Sequence, residues 1–264
     1  MTRNTNEKSW ALITGASSGL GVDFAHELAA QGHDLVLVAR REDLMRQLAS
    51  ELEMRFAIRT RVIAMDLSAP GAGTELKRQL DEDGIVVKML INNAGFGIFG
   101  EFIEQTLEKT LNMLQLNVVS LTELTHLFAA DMVQRGRGQI MLVASVVAYM
   151  SSPNYAAYGA SKAYVLSLGE ALHEELKSYG VTVTVLSPGA TATEFFEVSG
   201  QKFTAMKQAF MMPSRLVAKI GLAAMQRGRA SIVSGWRNAL MTWSLRLLPR
   251  IVQRKAAHRV LRKD

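Results

Sequence analysis

Short apolar runs alternate with longer amphipathic stretches along most of the chain. Residues 10–14, 34–39, 61–65, 86–91, 139–144, 181–186 and 230–233 are continuously apolar, short and bounded by glycine or polar clusters, which predicts buried strands. Between them, residues 19–30, 43–53, 71–82, 107–133, 155–179 and 213–227 carry apolar positions at helical spacing. A strand apolar on both faces needs cover on both sides, and a crossover helix between parallel strands supplies it. The expected fold class is therefore α/β: a doubly wound parallel sheet of about seven strands in three α/β/α layers.

The chain has 264 residues, enough for a large buried core without staples. With no repeat, linker or low-complexity tract, residues 1–235 are expected to form one catalytic domain, with a substrate loop at about residues 190–212 and a separate tail at 236–264. There is no cysteine, which excludes disulfides, a thiolate nucleophile and a cysteine zinc site, and fits a reducing cytoplasm. Five scattered histidines lack ligand spacing, so no metal is expected. The polar first residues and the absence of a long apolar run predict neither a signal peptide nor a spanning segment.

The net charge of +6 is unevenly placed: residues 226–264 hold ten bases and one acid, while residues 1–225 hold twenty bases and twenty-three acids. Basicity confined to one end argues against a nucleic-acid-binding body and concerns the tail's own partners.

The first turn reads Thr14-Gly15-Ala16-Ser17-Ser18-Gly19-Leu20-Gly21, directly after a strand and opening a helix. Glycines let the backbone turn sharply against a pyrophosphate, whose charge the helix N-terminus accepts, so this strand-turn-helix unit points to a dinucleotide. The second strand ends in Ala39-Arg40-Arg41, where a carboxylate would receive the ribose hydroxyl of NAD. Two guanidiniums suit a 2′-phosphate instead, favouring NADP(H), with NAD(H) as the alternative. Glu42 and Asp43 follow at once, and Arg41 with these acids also reads as the start of a solvated helix.

Tyr158 and Lys162 stand four residues apart on one predicted helix, thirteen and more residues after Ser145 at a strand end. An ammonium beside a phenol is expected to lower its pKa toward neutrality, and a serine hydroxyl nearby would hold a substrate oxygen.

Together with Asn92-Asn93-Ala94-Gly95, Asn117 and Pro188-Gly189, these motifs occur in the order and spacing of the short-chain dehydrogenase/reductase family, which the chain resembles over about residues 9–233. The resemblance implies a Rossmann-like fold and a catalytic tetrad of Asn117, Ser145, Tyr158 and Lys162. By the same resemblance the cofactor would meet Gly15, Ser17, Ser18, Gly19, Leu20, Gly21, Arg40 and Arg41. Asp66 and Leu67 would lie at the adenine, and Asn93, Ala94 and Gly95 along the adenosine. Tyr158 and Lys162 would lie beside the nicotinamide ribose, with Pro188, Gly189, Thr191 and Thr193 flanking the nicotinamide. One departure stands out: many NADP-preferring members carry a base where this chain has Ser18, so the NADP reading rests on Arg40 and Arg41.

Phe195, Phe196, Phe203, Met206, Phe210, Met211 and Met212 make the substrate loop strongly apolar, which suits an acyl, steroid-like or similar carbonyl compound or alcohol, or plain packing on the core. In the tail, Trp236, Leu240, Trp243, Leu247 and Ile251 recur every three or four residues among arginines, with a break expected at Pro249. A cover over the cleft, a subunit contact and an interfacial helix on anionic lipid all fit; the coincidence of tryptophan and positive charge suggests peripheral contact with the inner face of a membrane. A homodimer or homotetramer through the long helices is the family's implication. Two rival functions are a catalytically silent NADP(H) sensor or scaffold acting through its tail, and an epimerase or dehydratase on the same fold.

Overall fold

The structure, a computed structural model, describes residues 9–201 and 211–260. Its strands are β1 (Trp10–Thr14), β2 (Asp34–Ala39), β3 (Thr60–Ala64), β4 (Val87–Asn92), β5 (Gly138–Val143), β6 (Val181–Ser187), the two-residue β7 (Thr191–Ala192) and β8 (Met212–Pro213), and β9 (Ser231–Val233). Seven of them form one parallel sheet in the order β3-β2-β1-β4-β5-β6-β9. Alternate side chains feed opposite cores: Leu35 and Leu37 of β2 point to one, Val36 and Val38 to the other. That two-sided burial is why the sequences of β1 and β2 lack polar alternation.

Helices α1 (Gly19–Ala30) and α2 (Glu42–Phe56), with the helix Ser214–Gln226, cover the first face through Phe24, Leu28, Met45, Leu52 and Val217. Helices α3 (Ala72–Glu82), α5 (Leu121–Gln134) and α6 (Ala156–Lys177) cover the second through Leu76, Leu80, Leu124, Phe128 and Val165. The protein is thus the Rossmann-like, three-layer α/β fold that the alternation implied.

One predicted element is corrected. Residues 107–133 are not a single regular helix: α4 (Leu107–Leu114) passes through a π-helical turn, Gln115–Ser120, before α5 begins. The cause is polar side chains turned into the interior. Asn117 bonds the backbone of Phe96, while the Ser120 hydroxyl bonds the carbonyls of Leu67 and Gln115. A widened turn of this kind shifts the side chains after it around the helix axis and often marks a functional position.

The ends of the apolar loop are tied by the β7–β8 pair, with the Met212 amide donating to Ala190 O at 2.9 Å. Phe203, Met206 and Phe210 lie outside the described residues. After β9, the helices Trp236–Leu245 and Arg250–Val260 flank the break at Pro249. Gln253 Nε2 joins them, donating to Leu245 O at 2.7 Å and Leu248 O at 2.8 Å.

In a parallel sheet of this kind the crevice opens at the carboxyl ends of the strands, where neighbours on either side run to opposite faces. Here that point lies between β1 and β4, and Thr14 fastens it. Its buried hydroxyl accepts from the amides of Asn93 at 3.0 Å and Ala94 at 2.9 Å, and donates to Ile91 O at 3.3 Å. Thr14→Val keeps the shape but strands two amides, so unfolding measured by denaturant should show a loss of roughly 1–3 kcal/mol.

Candidate active site

Each strand end delivers one part of the site. After β1, Gly15 (φ +69°) and Gly19 (φ +53°) adopt backbone that favours glycine, and a Cβ on Gly21 would lie 2.1 Å from Gly15 O. The result is a cradle that side chains would fill. Ser18 precedes α1 without a side-chain cap, and no acid occupies the first turn beside Leu20, so the helix N-terminus faces the turn uncompensated. A pyrophosphate fits this cradle on charge and on space.

After β2, Arg40 is exposed, while Arg41 is engaged: Nε reaches Ser17 Oγ at 3.2 Å and Nη2 reaches Glu194 Oε2 at 3.0 Å. Arg41 also immediately precedes α2, with Glu42 and Asp43 in its first turn, as the reading of a helix start expected. After β3, burial works against the Asp66 carboxylate, but hydrogen bonds from Ser68 and the nearby Arg40 charge hold its pKa below the ordinary value. Leu67 is buried. After β4, the Asn93 side chain donates to Thr14 O at 2.9 Å, so it braces the glycine turn, leaving Ala94 and Gly95 to line the crevice. A Cβ on Gly95 would come 2.8 Å from Asn117 Oδ1 and 3.4 Å from Lys162 Nζ, which packs these three residues together.

The four tetrad residues meet at the end of β5. Ser145 follows the strand; its hydroxyl accepts from the Val147 amide at 3.4 Å and lies near enough to the Tyr158 phenol to favour its charged form. Lys162, one turn further along α6 and 4% exposed, donates from Nζ to Val143 O at 2.8 Å and sits 5.9 Å from the Tyr158 ring centre. Asn117, fully buried in the π-helical turn, joins the Phe96 backbone to Ser161 Oγ at 3.2 Å.

The expected pKa relation is corrected. Burial pushes the Tyr158 phenol up, against a lowering contribution from Ser145, and burial drops the Lys162 ammonium to about 8. Removing both groups from water disfavours the charged form of each.

After β6, Pro188 O accepts from the Val146 amide at 2.9 Å, binding this loop to the Ser145 turn. Thr191 Oγ1 donates to Gly189 O at 2.9 Å, and Thr193 lies against Gly19, where a Cβ would come 3.1 Å from its side chain. The helix Phe195–Ser199 then covers the tetrad: Phe195 stacks on Tyr158 with ring centres 5.3 Å apart. Tyr155, packed on Tyr158 at 5.4 Å, points its hydroxyl to Ser199 Oγ (3.3 Å) and Gln201 Oε1 (2.7 Å). Tyr155 is thus a tether for the loop.

A family model described as short chain dehydrogenase matches residues 9–203. The chain belongs to the short-chain dehydrogenase family. As a member of it, the protein is an oxidoreductase. It is 34% identical over 238 residues to the very-long-chain 3-oxoacyl-CoA reductase of Pyricularia oryzae, covering 89% of this chain and 71% of that one. It is 31% identical over 196 residues to the protein of the same description from Rattus norvegicus, covering 72% of this chain but 61% of that one. Among solved structures it resembles a short-chain dehydrogenase from Sphingobium yanoikuyae in complex with NADPH, with a TM-score of 0.83 and 33% identity over 90% of this chain and 92% of that one.

Within this short-chain dehydrogenase, three residues at the site carried no signal in the sequence. Glu194 pairs with Arg41 across 153 positions, Tyr155 tethers the loop, and Asn238 of the tail lies so close to Gly189 that a Cβ there would come 2.2 Å from its Nδ2. Each acts through contacts distant in sequence, which no local spacing records.

The depressed Lys162 sets a pH dependence. Between about 8 and its ordinary 10.5 the unfolded chain binds more protons than the folded one, so stability rises with pH across that window. The raised Tyr158 opposes this only above about pH 10. Thermal midpoints of the wild type should climb from about pH 8 to about pH 10 relative to Lys162→Met, approaching a difference on the order of 3 kcal/mol; parallel curves would contradict the buried ammonium.

Proposed function

We propose that the protein is an NADP(H)-dependent oxidoreductase that interconverts a carbonyl group and a secondary alcohol on an apolar small molecule, with Tyr158 as the acid and base. Residues 1–235 would be the catalytic unit, with 236–264 attached to it. The observation that carries this reading is Tyr158 and buried Lys162 one turn apart on α6 beside Ser145, on the same strand ends as the glycine cradle.

The nicotinamide, when bound, supplies or accepts hydride at the carbonyl carbon. The turn from Gly15 to Gly21, including Ser17, Ser18, Gly19 and Leu20, would hold the pyrophosphate, and Arg40 and Arg41 the 2′-phosphate. Asp66 and Leu67 would take the adenine, with Ala94 and Gly95 along the adenosine and Asn93 behind them. Lys162 would hold the ribose, and Pro188, Gly189, Thr191 and Thr193 would flank the reactive ring.

In reduction, Ser145 holds the substrate oxygen and Tyr158 protonates it. A phenol raised by burial is protonated at neutral pH and so has a proton to donate in reduction, while the direction of net reaction follows the cofactor pool. Lys162, largely charged below about pH 8, stabilises the phenolate left behind. Asn117 positions the backbone between Phe96 and Ser161, and so fixes the helix that carries both groups.

Phe96, Phe99, Met113, Val147, Tyr155 and Phe195 form an apolar cluster around Tyr158, which supports a greasy substrate. With relatives described as very-long-chain 3-oxoacyl-CoA reductases, a long-chain 3-oxoacyl thioester is the compound class to test first. Exposed Leu111, Val119 and Tyr164 on the α4–α6 side support pairing of two copies there.

With NADPH and a 3-oxoacyl thioester, nicotinamide absorbance should fall in the wild type, and Tyr158→Phe should cut turnover at least about 100-fold with cofactor binding intact. Undiminished turnover would refute the role of the phenol. Glu194 competes with a 2′-phosphate for Arg41, so Glu194→Gln should tighten NADPH binding by about fivefold and leave NADH unchanged. Arg41→Ala should weaken NADPH alone, as measured by titration of intrinsic fluorescence.

A further inference from the structure

The helix Trp236–Leu245 is oriented against the usual rule for a surface helix. Two polar side chains face inward, beside half-buried Ala239 and Leu245: Thr242 is 4% exposed, and Asn238 packs at Gly189 and donates to Ser234 O at 2.8 Å. Its outward side chains are apolar: Trp236 is 73% exposed, Leu240 56%, and Trp243 57%. These follow steps of four and three and therefore share one helix face. Leu247, at 69%, continues that face, and Leu248 and Ile251 extend exposed apolar surface across the break into the second helix. So many large apolar side chains gathered on one surface mark a contact site rather than the scattered exposure normal in water.

Charge selects the occupant. Arg237, Arg246, Arg250, Arg254, Lys255 and Arg259 stand among these residues, and no acid occurs from 236 to 260. Ion pairs among the described residues lie elsewhere; the last along the chain joins Glu27 to Arg215 and Lys219. Arg237 instead lies over the Trp236 ring at 5.4 Å. A second copy docking face to face would oppose like charges. An anionic bilayer meets both requirements, since its acyl boundary takes tryptophan and leucine while its headgroups take arginines that reach outward on long stems. No described helix is long and apolar enough to cross a membrane, so the contact is with the surface.

We infer that the two tail helices are a docking surface for an anionic lipid bilayer. The surface shares a wall with the catalytic cleft: the helix Trp236–Leu245 touches Gly189 through Asn238. The docking rests on the exposed side chains and their charge, and stands independently of the reaction proposed above.

The test is co-sedimentation of the full chain with vesicles of phosphatidylcholine alone and of phosphatidylcholine mixed with phosphatidylglycerol, at low and high salt. Binding should favour the mixed vesicles by about tenfold or more and weaken with salt. Trp236→Ser with Trp243→Ser and Leu247→Ser should abolish it, and so should Arg250→Gln with Arg254→Gln and Arg259→Gln. All these side chains are exposed, and circular dichroism checks that each variant is folded. Equal recovery with and without anionic lipid overturns the inference, as does unchanged binding by the apolar triple variant. Concentration-dependent self-association lost in that variant, without vesicle binding, would assign the face to a second copy.

Discussion

Withdrawing an ammonium and a phenol from water at the same place is the constraint around which this site is built. Lys162 and Tyr158 lie one turn apart on α6, and burial disfavours the charged form of each. The surroundings answer that penalty piece by piece: β5 offers the Val143 carbonyl to the ammonium, and the turn after it offers the Ser145 hydroxyl to the phenol. The glycine at 95 keeps the space beside Lys162 open, because a side chain there would strike Asn117.

The loop after β6 joins the two halves of the crevice. Glu194 fastens it to Arg41 on the glycine-turn side, Tyr155 fastens it to α6, and Phe195 lies directly on Tyr158. The ion pair is half-exposed and contributes little to stability by itself. What it does is tie the guanidinium beside the glycine turn to the segment that lies over Tyr158. The tail adds a third attachment, since Asn238 seals the Gly189 corner while the same helix turns its tryptophans outward. Polar contacts inward and apolar surface outward make sense together only if something other than water meets the outer face.

The sequence by itself determined the order of strands and helices, because two-sided burial leaves continuous apolar runs that periodicity detects. It also determined the glycine turn, the Tyr158–Lys162 spacing and the break at Pro249, all of which follow from local backbone geometry. Only the tertiary structure decided the π-helical turn at Asn117, where buried side chains bond Phe96, Leu67 and Ser161, partners distant in sequence. It likewise decided the direction of the Tyr158 pKa, since spacing reports a neighbouring charge but not how much water the fold removes. The partners of Arg41 and Gly189, and the outward face of the tail, belong to the same class: a helical period shows that a stripe exists, and only packing decides which side of it the protein keeps.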